Sequence, residues 1–67
     1  MTINKFIKEC SKEDSPIGDL ANDILGDSNF PSNSSDEEIF RYLEFKTITG
    51  GTHDTFISFK EEYLKSK

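Results

Sequence analysis

The stretch Ser15 to Pro31, SPIGDLANDILGDSNFP, constrains this chain more than any other, because it carries the start of a helix, its end, and the face it must bury. Ser15 offers a side-chain oxygen to the free amides of a first turn. Pro16 suits the first helical position, where its missing N–H has no partner to lose. Asp19 and Asp23 favour the N-terminal half of such a helix through its dipole. Ile17, Leu20, Ala21, Ile24 and Leu25 recur at three- and four-residue spacing and share one face to be buried, while Asp19, Asn22 and Asp23 point away from its centre. Gly26, Asp27, Ser28 and Asn29 break the pattern before Phe30-Pro31. The rest of the chain has to supply the cover for this one face.

Three further segments can do so. Thr2 caps a first helix whose Ile3, Phe6, Ile7 and Cys10 form an apolar stripe, with Lys5, Lys8 and Glu9 on its wet side. Ser11 to Asp14 is a short polar turn. Gly26 to Ser35 is rich in Ser, Asn, Asp and Pro and cannot bury itself except at Phe30. The favoured reading makes the Phe30 ring a plug inserted into the core from the loop; the other makes Phe30-Pro31 an exposed docking knob. A third helix is signalled by SSDEEIFRYLEFK, with Ser34 and Ser35 as alternative caps and Glu37 or Glu38 closing a capping box. Ile39, Tyr42 and Leu43 give it a buried side, with Phe40 as a further candidate. Thr47 to Thr52, with Gly50-Gly51, reads as a connector. The last helix begins between Thr52 and Asp54 and runs to the end, with Phe56, Phe59, Tyr63 and Leu64 as its stripe. A chain of 67 residues has room for one domain, residues 1–67, and one small core. The expected class is all-α, with four helices.

Charge and rare residues narrow the chemistry. The net charge is −5, and from Glu9 to Glu44 ten acids stand against Lys12 and Arg41. Such a balance argues against non-specific binding of phosphate backbones, although Lys5, Lys8, Lys60, Lys65 and Lys67 at the two ends leave room for a local basic patch. A lone cysteine, Cys10, reads as a small apolar filler in a reducing compartment, and no apolar run approaches a membrane span, so a soluble cytoplasmic protein is expected. His53, the one histidine, lacks partners at metal-ligand spacing. Neither a cofactor nor a small-molecule substrate is suggested. Asp19, Asp23 and Asp27 fall four apart, the pattern of a solvated acidic stripe on one helix and not of two carboxyls facing across a cleft. No enzyme is expected.

SPIGDLANDILGD followed by Phe30-Pro31, then Ser and Asp before Ile39, and Tyr42-Leu43-Glu44, resemble the small bacterial YozE-type family, whose fold is SAM-like (sterile alpha motif-like). The resemblance runs from Phe6 to Tyr63. It implies a compact four-helix SAM-like domain from Gram-positive bacteria or their mobile elements, with no established activity. Some positions depart from the family pattern. Ser32 stands where a basic residue is usual after Phe-Pro, Glu37 where an aromatic is usual, and Lys60 where a tryptophan is usual. These changes remove positive charge and stacking surface from any nucleic-acid reading.

Two function classes follow. The first is a protein-interaction module in which Asp19, Asn22, Asp23 and Asp27, with Glu44, form an acidic patch that docks an unknown basic partner protein. The second is a nucleic-acid-binding domain using Lys5, Lys8, Lys60, Lys65 and Lys67 if the first and last helices lie side by side. The first is preferred, on fold-level analogy and on the acid-rich middle of the chain.

Overall fold

The computed structural model describes residues 2–66, in which four helices follow one another: α1 (Ile3–Cys10), α2 (Pro16–Leu25), α3 (Asp36–Gly50) and α4 (His53–Ser66). Each of the first three starts on a hydroxyl cap. Thr2 Oγ1 accepts from the Lys5 amide at 3.2 Å, Ser15 Oγ from Gly18 at 3.1 Å, and Ser35 Oγ from Glu38 at 3.3 Å. Ser35, and not Ser34, therefore begins α3, and Asp36, Glu37 and Glu38 fill the first turn where the helix dipole stabilises acids. The all-α expectation holds. No strand is present among the described residues, and no helix is long and apolar enough to cross a membrane.

The expected stripes form the core, with corrections at their ends. Ile3, Ile7 and Cys10 of α1, Leu20, Ala21 and Ile24 of α2, and Ile39 and Leu43 of α3 are buried against Phe56, Phe59 and Tyr63 of α4. Leu25 and Leu64, both expected inside, are half-exposed. Leu25 is the last residue of α2 and lies at the margin of its stripe, and Leu64 stands one residue beyond the buried line of Phe56, Phe59 and Tyr63. The expected connector at Thr47 to Thr52 is also corrected, because α3 continues through Gly50. Thr47 is buried and donates its hydroxyl hydrogen to the Leu43 and Glu44 carbonyls, so this β-branched residue stays helical with its polar group satisfied. The helix stops at Gly51. Its φ of 81° is left-handed, and the amides of Gly51 and Thr52 both donate to the Thr47 carbonyl.

Aromatic rings of α4 tie the helices together. Phe6 of α1 lies 5.2 Å from Phe59 and 5.4 Å from Tyr63, while Phe40 of α3 lies 5.9 Å from Tyr63 and 6.4 Å from Phe56, all in tilted or edge-on geometry. The Tyr63 hydroxyl donates to the Asp36 carboxylate at 2.7 Å, which joins the end of α4 to the start of α3. Burial, followed by that carboxylate, pushes the Tyr63 hydroxyl up to about 12.

α1 and α2 meet at a close approach that depends on one missing methyl group. A Cβ at Gly18 would lie 2.0 Å from the Glu13 carbonyl oxygen and 3.1 Å from that of Cys10, both backbone atoms that cannot rotate aside. Beside this contact the Asn22 side-chain amide donates to the Ser11 and Gly18 carbonyls, each at 3.1 Å. Gly18→Ala is therefore expected to lower the urea unfolding midpoint by the equivalent of about 1–3 kcal/mol, as overpacking does, even though alanine is the better helix former.

Candidate functional site

The C-terminal half of α2 and the C-terminal half of α3 leave a groove of about 220 Å³ between them. Leu20, Ile24 and Leu43 give it an apolar lining, and Asp23, Lys46, Gly50 and Thr52 also border it. These positions follow from helix periodicity. Leu20 and Ile24 are four apart on α2 with Asp23 beside them, and Leu43, Lys46 and Gly50 are three and four apart along α3. The groove exists as a concave surface only because α3 continues past Thr47.

Asp27 holds one end of the groove. It lies just past the Gly26 cap of α2, and its carboxylate accepts hydrogen bonds from the Tyr42 hydroxyl and the Lys46 amine. The Asn29 amide donates to the same side chain at 3.0 Å. The Asp27 side chain is only 11% exposed, whereas that of Lys46 is 52% exposed. The Lys46 bond, then those from Tyr42 and Asn29, hold the Asp27 carboxyl down at about 2, and the Asp27 bond in turn raises Lys46. The Lys46 amine also lies 5.5 Å from the centre of the Tyr42 ring. Phe30 packs edge-on against that ring at 6.2 Å and is half-buried against the core, so the plug reading of Phe30 holds over the docking knob.

Two shallower depressions continue the groove along α3. Tyr42, Phe45, Lys46, Thr49 and Gly50 line the first, and Glu38, Arg41, Tyr42 and Phe45 line the second. Shared residues join them into one track from Glu38 to Gly50, roughly 18 Å at the rise of an α-helix. Phe45 is 75% exposed on this side of α3; Ile48, 61% exposed, borders neither depression and lies about 160° around the helix from Lys46.

The acidic patch expected from sequence does not form as one face. Asp19 and Asp23 are exposed one turn apart on α2, but Asn22 is engaged in closing the end of α1. Asp27 is not part of the helical stripe: it lies beyond α2 and is occupied by Lys46 and Tyr42. Glu44 is exposed two residues from Lys46 on α3, about 160° around the helix from it. The lysines are likewise dispersed. Lys8 borders a hollow with Phe30 and Ser32, Lys65 borders another beside Glu13 and Glu62, and Lys5 is exposed on α1. Lys60 lies with its amine 5.1 Å from the Phe40 ring centre, covering that ring. Lys67 lies outside the described residues. His53 is half-buried with its ring 6.1 Å from Phe56, and no group of metal-ligating side chains is gathered among the described residues.

Sequence reasoning missed Phe45 and Gly50. The signal was present in the helical spacing of Glu38, Tyr42, Phe45 and Thr49, but ending α3 before Thr47 cut that face short.

This four-helix arrangement is that of a small SAM-like domain. The chain matches the family described as YozE SAM-like fold over residues 2–65, nearly its whole length, and belongs to that family. Neither a curated protein nor a solved structure matches it.

Two expectations follow from the charged and titratable groups. Because the folded Asp27 carboxyl titrates at about 2 against an ordinary 3.8, its contribution to stability is complete above the ordinary value and is lost as pH falls from there through about 2. Asp27→Asn should lower stability at neutral pH and flatten the loss of stability between about pH 4 and 2, followed by circular dichroism; added salt should narrow the difference, since Lys46 is half in water. Cys10 is buried, and desolvation followed by the nearby Glu13, Glu62 and Glu9 charges raises its thiol. A disulfide reagent at pH 8 should label it at the rate of global or local opening, at least about 100-fold slower than in denaturant.

Proposed function

We propose that this domain is a non-catalytic protein-interaction module whose docking face is the α2–α3 groove and the surface of α3 beside it. The observation that carries the reading is the exposure of Phe45 along the depressions of α3 that continue a groove with apolar lining. Each square ångström of apolar surface left in water forgoes about 25 cal/mol, so a chain with so small a core gains from covering this face with a partner. Asp19 and Asp23 on α2 remain in the docking surface; Asp27 borders it with its carboxylate taken up by Lys46 and Tyr42, and Asn22 and Glu44 leave it. Cytoplasmic residence in a Gram-positive bacterium is part of the same proposal, supported by the unpaired Cys10 and the family resemblance. The nucleic-acid alternative draws less support, because its lysines are dispersed and Lys60 is engaged with Phe40.

A photo-crosslinking residue placed at Phe45, and in a second variant at Lys5, tests the proposal in host cells. The expected result is a discrete adduct from position 45 alone, its partner identified by mass spectrometry and rebound by the purified domain. Absence of an adduct at 45, or retention on duplex DNA or RNA that salt abolishes and that shifts the amides of Lys5, Lys8, Lys60 and Lys65, would overturn it.

A further inference from the structure

Resting on the interaction reading, we infer that the groove takes an amphipathic helix of the partner, with one large apolar side chain in the groove and basic residues against α2. Charge complementarity sets the sign. Among the described residues no cation pairs with Asp19 or Asp23, and Lys46, the cation at the groove, is already held by Asp27. Between Lys12 and Arg41 the sequence has eight acids and no basic residue. The α2 side of the groove is therefore negative with nothing of its own to balance it, and an occupant bearing lysine or arginine gains where an acidic one is repelled.

Shape sets the rest. The α2–α3 groove, about 220 Å³, has the volume for a side chain of leucine or phenylalanine size beside the edges of the core residues Leu20, Ile24 and Leu43. The track beyond it runs roughly 18 Å along α3, the length of about three helical turns. The described residues present no sheet edge to which an extended segment could add, so a helix laid in the groove is the mode that fits. Gly50 supports this independently. A Cβ there would meet nothing within 4 Å, and its φ is not in the left-handed range, so neither packing nor backbone requires glycine at the end of α3. It borders both the groove and the adjoining depression, and a side chain in its place would stand at their junction.

The test uses three fluorescein-labelled 14-residue peptides: leucine and lysine at helical spacing, the same with glutamate for lysine, and a scrambled leucine–lysine sequence without the period. Anisotropy and amide shifts are read together. The periodic leucine–lysine peptide should bind, moving Asp23, Phe45, Lys46 and Gly50. Asp19→Asn with Asp23→Asn should weaken it about 5-fold, and salt should do the same. Gly50→Leu should abolish binding without lowering the unfolding midpoint, and Phe45→Ser, a surface change, should weaken it. Equal binding of the glutamate or scrambled peptide, or undiminished binding to folded Gly50→Leu, would overturn the inference. A partner crosslinked from Phe45 with no binding of the periodic peptide would reject this occupant and leave the module; no adduct and no binding would reject both.

Discussion

Tyr63 is the side chain on which the arrangement of the helices depends. Its ring stands against Phe6 of α1 and Phe40 of α3, and its hydroxyl reaches the carboxylate at the first residue of α3. Apolar contact alone would allow α3 to slide along α4 with little change in buried area. A buried hydroxyl that must find its acceptor removes that freedom, because an unsatisfied polar group costs more than the hydrogen bond contributes. The raised Tyr63 hydroxyl reflects the same placement, a polar group kept neutral within an apolar wall.

With α3 registered on α4, the α2–α3 surface follows. α2 packs on α1 and α4, whereas its side toward α3 is closed only in part, by the core residues Leu20, Ile24 and Leu43 and at one end by Asp27. Asp27 is the long-range polar tie here. It joins the loop after α2 to Tyr42 and Lys46, and Phe30 seals the same corner with an aromatic edge. The groove is thus the space left where two helices are held at a distance by a bridge at one end, and Gly50 leaves its other end open.

Much of this was legible in the sequence because the signals are local. Hydroxyl caps at Thr2 and Ser15, Pro16 at the start of α2, and stripes of three- and four-residue period need no knowledge of tertiary structure, and the family resemblance agreed with them. What failed depended on partners distant in sequence. Leu25 and Leu64 continue their stripes in the sequence but have no neighbour to cover them. Thr47-Ile48-Thr49 reads as helix-breaking until Thr47 is seen to be buried with its hydroxyl satisfied by its own backbone. Asp27 shows the limit most plainly: its spacing from Asp19 and Asp23 implies an acidic stripe, yet its role is set by Lys46, 19 residues away. Formal charge can be read from one residue, but its availability to a partner cannot.

The contact at Gly18 also divides the chain into parts of unequal tolerance to change in length. With the α2 backbone resting on the carbonyls of Cys10 and Glu13, and Asn22 fastened to Ser11, the turn between α1 and α2 has a fixed length, and an added or deleted residue would rotate one helix stripe away from the other. The short stretch around exposed Asn33, between Ser32, whose carbonyl accepts a hydrogen bond from the Asn4 side chain, and the Ser35 cap, is less restricted. Relatives that differ in length should therefore differ there, and a tag or reporter inserted into the domain belongs in that segment.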